Sequence, residues 1–310
     1  MKKAYVILDF EGMACGFGRY EGEYAITHIS AAKECSAIAH ALAESGYEEI
    51  VINTPHVMPY LDLPAGLNIH IIHGEFNRCL ICEGLDESFE ISLLIGKHAM
   101  AGGKERGVNR HTVLPHPLTR HYSSVASVKI NDLSVGEIGM FMAFAGSYNV
   151  PVIYLSGDDC ACDEARELVP GIGTTAVKKS INYFCANSLL PDDAAKASAE
   201  NLKETIKRKH EIAPFVINGP VTVSVSYHFP ERAKDALGFV QRSYMVNENT
   251  VACDYASIAD FRDNWGTIRG ANEPDWLSDI GVDCVTGFFT RIGYEPYDPE
   301  CRKPFPNLQY

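Results

Sequence analysis

Asp9 and Glu11 stand two residues apart in Leu8-Asp9-Phe10-Glu11-Gly12, and on an extended chain that spacing turns both carboxylates to one face. His56 closes Asn53-Thr54-Pro55-His56, His98 follows Gly96-Lys97, and Glu137 stands in Val135-Gly136-Glu137. Carboxylate oxygens and imidazole nitrogens form a donor set that divalent zinc accepts. Gathered in one crevice, these side chains suit a pair of ions roughly 3.5–4 Å apart that hold and acidify a bridging water for hydrolysis. Each residue also has an ordinary structural use. Asp9 can cap backbone amides, Ser134 and Glu137 have the S-x-x-E spacing of a helix capping box, His56 sits in a loop, and His98 can be a hydrogen-bonded core histidine. Taken singly, those uses are the simpler account; a shared location favours the metal.

The elements that must supply that location alternate along the chain. Residues 4–10 form a compact apolar run, and the Ala-rich stretch 29–44, closed by Gly46, has helical character. Residues 49–53, 67–73, 91–95, 125–130 and 150–155 read as strands. Ser134 is expected to open one helix, and Asp158 to cap another that ends at Pro170 and Gly171. Alternating strands and helices predict an α/β fold with a largely parallel sheet flanked by helices. In such sheets ligands collect outside the carboxyl ends of the strands, which is where Asp9, Glu11, His56 and His98 fall; Glu137 lies in the first turn of the expected helix. Beyond Pro191 the texture changes to a long polar helix reaching Glu211, then Pro214, the alternating Val221-Thr222-Val223-Ser224-Val225 and a further strand at 250–254. The expected division is an α/β metal-binding domain over 1–213 and a smaller C-terminal α+β unit over 214–310 that includes a C-terminal extension.

Composition narrows the partners. The 310 residues carry 27 basic and 40 acidic side chains, a formal net charge of −13, which opposes the counterion release that nucleic-acid binding depends on. Apolar residues at 46% and charged residues at 22% are ordinary for a folded globular chain. No apolar stretch approaches the roughly 18 residues of a membrane helix, and Asp9 and Glu11 interrupt the first apolar run before a signal peptide is complete. A cytoplasmic protein with neither nucleic-acid nor membrane partner is expected. Without an export signal the ten cysteines are expected to be reduced. Cys79 and Cys82 have CxxC spacing but no second CxxC, and Cys160 and Cys162 are too close for a zinc knuckle.

The segment Leu8-Asp9-Phe10-Glu11-Gly12 resembles the D-x-E-G signature of the zinc D-aminopeptidases of the DppA type. Gly96-Lys97-His98-Ala99 is similar to that family's G-x-H-A segment, and Ile130-Asn131-Asp132 followed by Val135-Gly136-Glu137-Ile138-Gly139 to its I-N-x and V-G-E-x-G segments. Val150-Pro151-Val152, Gly157-Asp158-Asp159 and Thr174-Thr175-Ala176-Val177-Lys178 follow in the family's order, so the resemblance spans roughly residues 4–260. It implies a binuclear zinc peptidase, two ions per chain, that releases amino-terminal D-residues from short peptides and assembles as a ring-shaped homodecamer. Carried over, Asp9 bridges the ions, Glu11 and His98 complete one, and His56 and Glu137 the other. A further catalytic histidine is implied in the loop after His98. Gly107-Val108-Asn109-Arg110-His111-Thr112 and Val113-Leu114-Pro115-His116-Pro117-Leu118 both fit family patterns there, while His121 suits the downstream spacing; His116 and His111 rank together ahead of His121. Two departures stand out. The family's N-D-x-H becomes Asn53-Thr54-Pro55-His56, losing an acid and stiffening the turn, and residues 269–310 have no counterpart in the family pattern.

The expected chemistry is hydrolysis of a short peptide or small amide by a metal-bound hydroxide, with a loop histidine shuttling the proton. Two rivals differ in class. A nucleotide-binding oxidoreductase is opposed by Gly16-Phe17-Gly18, which lacks the third glycine and follows two carboxylates that would repel a pyrophosphate. A non-catalytic binding or assembly protein of the same fold is opposed by the retention of every ligand type.

Overall fold

The strand β1 (Lys3–Leu8) is buried from Ala4 onward, as a parallel strand covered on both faces must be. The same reason underlies the continuous apolar runs of β2 (Glu49–Thr54) and β4 (Ile91–Lys97), buried at every position; β3 (Asn68–His73), between them in the chain, is half-exposed at the sheet's edge. The computed structural model describes residues 1–16, 24–56, 60–73, 82–112, 125–239 and 243–264. The helix α1 (Tyr24–Glu44) crosses from β1 to β2, beginning five residues before the apolar period predicts.

Between β4 and the next strand of this sheet the chain makes an excursion: β5 (Val125–Ile130), β6 (Leu133–Val135) and α2 (Glu137–Ser147). Then come β7 (Val152–Asp158), α3 (Asp159–Leu168), β8 (Gly173–Asn182), β9 (Cys185–Ser188) and α4 (Pro191–Lys207). The described strands of the first sheet run in the order β3-β2-β1-β4-β7-β8-β9, parallel except for the β8–β9 hairpin. A second, antiparallel sheet follows the order β11-β12-β10-β5-β6, formed with β10 (Val221–Tyr227), β11 (Tyr244–Asn247) and β12 (Thr250–Tyr255), and accompanied by α5 (Pro230–Phe239) and α6 (Ile258–Asn264). Val221, Val223, Val225 and Tyr227 point inward and the residues between them are half-buried, the alternation read in the sequence. The strands of this sheet come from both sides of residue 213. No helix among the described residues is long and apolar enough to cross a membrane.

Two local expectations change. Ser134 lies in β6, and the residue before α2 is Gly136, with no side-chain cap; Glu137 does not close a capping box because its carboxylate is engaged elsewhere. The polar helix stops at Lys207 and continues only as the tight turn Lys209–Glu211. Asp158, by contrast, caps α3 as expected, accepting hydrogen bonds from the Cys160 and Ala161 amides at 2.8 and 3.0 Å. Cys160 and Cys162 are buried free thiols; Cys79 lies outside the described residues. The helix α2 touches β4 of one sheet and β6 of the other, and is accordingly buried from Ile138 to Gly146.

One core residue carries a testable cost. Glu34 on α1 is buried where that helix packs on α4; Ser198 Oγ donates to its Oε1 at 2.8 Å, and its Oε2 has no partner. Burial, only partly offset by the nearby Ser156 and Ser198 hydroxyls, raises this carboxyl to about 7. Because the folded-state value lies above the unfolded one, stability is full below about pH 4.5 and is lost as pH rises through 7. Glu34→Gln, which keeps the neutral acid's shape, should therefore stabilise the protein at pH 8 by roughly 2–3 kcal/mol and scarcely at all at pH 4.5. Thermal melts at the two pH values check this; an equal gain at both contradicts it.

Candidate metal centre

The chain passes from β1 to β2 on one side and reaches β4 on the other, so β1 sits at the point where strand order reverses, with the carboxyl ends of all three strands at one edge. Asp9 and Glu11 follow β1, His56 follows β2, and Lys97 and His98 straddle the end of β4. Glu137 is the first residue of α2. Glycine lets the strand ends come together. The Gly12 amide donates to Gly96 O at 2.7 Å, and a Cβ on Gly12 would fall 2.0 Å from Lys97 O. Gly96 has φ +72, and a Cβ there would fall 2.2 Å from Asp9 O, so only glycine meets both the angle and the spacing.

The side chains converge around Asp9. His56 Nε2 lies 3.0 Å from Asp9 Oδ1 and 3.3 Å from Glu11 Oε2. On the other side, His98 Nε2 lies 3.5 Å from Glu137 Oε1 and 3.8 Å from Asp9 Oδ2. Lys97 Nζ stands between, 2.6 Å from Asp9 Oδ2 and 3.1 Å from Glu137 Oε2. Of the three groups of ligand-capable atoms among the described residues, two meet here: Asp9, Glu11 and His56 in one, and His98, His111 and Glu137 in the other, each within 4.8 Å. In the structure Glu11 lies beside His56 and Glu137 beside His98, and the two imidazoles reach Asp9 from the opposite neighbouring strands.

Surrounding contacts fix these groups. The His98 Nδ1–H donates to Ala99 O at 3.0 Å and that of His111 to Asn109 O at 2.7 Å, the backbone tether that metal-binding histidines commonly use to set the other nitrogen. The two imidazoles stack with centroids 3.8 Å apart and planes 9° from parallel, and His56 stacks on Phe10 at 4.5 Å. The segment after His98 is tied down by Asp158 Oδ2, which accepts from the Ala99 amide at 3.2 Å, and Glu164 Oε2, which accepts from the Met100 amide at 3.0 Å. Lys178 Nζ pins the Asp9–Glu11 turn by donating to Glu11 O and Gly16 O, each at 2.6 Å. His116 and His121 lie outside the described residues.

Electrostatics follow from burying three acids beside three bases. Burial would raise the Asp9 carboxyl, but the Lys97 ammonium and hydrogen bonding with His56 and Glu11 hold it well below the usual range. Glu137 is likewise held down against burial by Lys97 and His98. Burial opposes charge on His56 and His98, yet Glu11 and Asp9 lift His56 to about 10, and Glu137 and Asp9 lift His98 to about 9. Carboxylates and deprotonated imidazoles are a donor set that fits zinc. Sequence reasoning missed Lys97, Glu164 and Lys178. A lysine ending a strand buried at every position was the available signal for the first.

A family model described as D-aminopeptidase matches residues 1–264. The chain belongs to the D-aminopeptidase family. A D-aminopeptidase of Bacillus subtilis (strain 168) is 30% identical over 237 residues, covering 73% of this chain and 81% of that relative. The fold is shared with the solved structure of the Zn-dependent D-aminopeptidase DppA from Bacillus subtilis, a self-compartmentalizing protease, at a TM-score of 0.75 and 23% identity, over 86% of this chain and 95% of that one. D-aminopeptidase family membership places the chain among the aminopeptidases and leaves the nucleotide-binding alternative without support, since Asp9 and Glu11 stand where a pyrophosphate would approach.

Proposed function

We propose that this D-aminopeptidase family member is a zinc-dependent hydrolase that releases amino-terminal D-residues from short peptides. Two ions per chain are assigned to Asp9, Glu11, His56, His98 and Glu137, with Asp9 shared. The observation that carries this reading is the division of Asp9: Oδ1 faces His56 at 3.0 Å, and Oδ2 faces His98 at 3.8 Å. The choice of zinc is supported by the solved relative, described as Zn-dependent.

Zinc bound there supplies Lewis acidity, polarising the scissile carbonyl and lowering the pKa of water. The protein's own groups do the rest. His98 and His56 are aimed by fixed contacts, and Lys178 holds the turn that presents Asp9 and Glu11. His111, buried and tethered through Nδ1, leaves Nε2 as the basic nitrogen and is the described histidine placed to carry the proton. A homo-oligomer is part of the proposal, with the decameric ring as the form to test; the solved relative is described as self-compartmentalizing.

Protein purified without chelator should contain close to two zinc ions per chain and cleave D-amino-terminal di- and tripeptides in preference to their L counterparts, with activity lost to chelators. Light scattering on the same preparation should give the mass of several chains. Zinc-loaded protein that cleaves no peptide of either hand refutes the peptidase reading.

A further inference from the structure

The strand β8 runs parallel to β7, and β7 to β4, so it ends at Asn182 on the same carboxyl edge of the sheet as β1 and β4. Its turn into β9 is stitched to the segment that carries His111. The Val108 amide donates to Ser180 Oγ at 3.1 Å and the Asn109 amide to Tyr183 O at 2.9 Å, while the His111 amide donates to Ala99 O at 3.1 Å. An open groove of about 850 Å³ runs between these two segments, and Lys104, Glu105, Arg106, Arg110, Tyr183 and Phe184 are among the residues that line it. Its three cations are not equivalent. Lys104 and Arg106 are paired with Asp163 and Asp159 of α3. The Arg110 guanidinium instead lies over the Tyr183 ring, 5.6 Å from its centroid, and donates to the backbone carbonyl of Glu105.

We infer that Arg110 is the subsite for the C-terminal carboxylate of a short peptide substrate, with Tyr183 and Phe184 forming an apolar wall beside the residue that cleavage leaves behind. The inference rests on the peptidase reading above. Arg110 and His111 are consecutive, so their α-carbons are about 3.8 Å apart, and His111 stacks on His98 in the candidate centre. The groove therefore begins one residue from the site. An extended di- or tripeptide spans roughly 7–11 Å, a length that suits an amino end at the centre and a carboxyl end at Arg110. A guanidinium carries five N–H donors in a planar fork, so the bond to Glu105 leaves a pair for the two oxygens of a carboxylate, and the Tyr183 ring beneath favours one orientation of that plane. A longer or blocked peptide presents a neutral amide there and forfeits the charged pairing. Arg110 is thus a specificity residue that selects short peptides by their free carboxyl end.

The test compares D-alanylglycine and D-alanylglycylglycine with their C-terminal amides as substrates of the zinc-loaded full-length protein, for wild type, Arg110→Met, Arg110→Gln and Arg110→Lys. Wild type should favour the free acids in kcat/KM by about tenfold or more, the scale of a hydrogen bond to a charged group. Met or Gln should bring that ratio close to one, mainly by raising KM for the acids, and Lys, which keeps the charge and loses the fork, should fall between. Circular dichroism confirms folding, and the Gln variant answers the question if the Met variant fails to fold. A wild type that cleaves acids and amides equally at both lengths, or a folded neutral variant that keeps the preference, overturns the inference and leaves the peptidase reading in place. An equal fall in kcat for acid and amide keeps the ratio and overturns it too, since that marks a disturbed His111 rather than a lost carboxylate contact. Cleavage of none of the four peptides by wild type overturns both readings.

Discussion

Asp9→Ala should leave the protein without bound zinc and reduce peptide hydrolysis to background. The argument is one of shared ligands: the Asp9 carboxylate faces His56 with one oxygen and Lys97 and His98 with the other, so its loss removes a donor from both positions at once. Changes to groups merely behind metal ligands already cost about 10–100-fold in affinity, and this one should exceed that range for each ion. The substitution also strips the buried Lys97 ammonium of one of its two acid partners, and breaking a buried pair costs about 3–5 kcal/mol. Asp9→Asn, which keeps the shape, separates the two effects, since it too should lose zinc while retaining more of the fold. Elemental analysis after dialysis, read beside a thermal melt, decides the matter; full zinc content in a folded Asp9→Ala protein would sink the assignment of Asp9 as the bridge.

The second large effect is expected at His111. Replacing it with Ala should lower kcat by roughly 10²–10⁴, the usual span for a positioned acid–base group, with KM little altered and zinc retained. Retention matters because His111 lies within 4.8 Å of ligand-capable atoms on His98 and Glu137, close enough to be a ligand instead. If His111→Ala loses zinc together with activity, it belongs to the metal's donor set; if it keeps both, the proton carrier is His116 or His121, which the sequence also offers.

Most of the main sheet could be read from the amino acids because β1, β2, β4 and β7 are buried on both faces and are therefore written as apolar runs. The candidate ligands after β1, β2 and β4 stood out for the same reason: a polar residue that follows such a run is conspicuous. The strand β6 was not, since Leu133-Ser134-Val135 is short and mostly exposed and Ser134 with Glu137 has capping-box spacing. The β8–β9 hairpin was hidden because β9 is polar and half-exposed. Which side chains lie next to each other was also beyond reach: sequence places residues at a sheet edge, but the order β2-β1-β4 sets His56 and His98 on opposite sides of Asp9. Lys97 escaped attention because its neighbours form a motif and its own position in that motif is unspecified.

The order β2-β1-β4 also has a bearing on time. Asp9, His56 and His98 meet only after β1 has gained both parallel neighbours, each brought in across a long stretch of chain, and such non-local pairings are slow to form. On the proposed reading, zinc would find its ligands only on a sheet that is already assembled. A metal bound there would not nucleate the fold, as it does in small zinc domains; it would latch a finished one, slowing the chain's escape from the native state more than speeding its arrival.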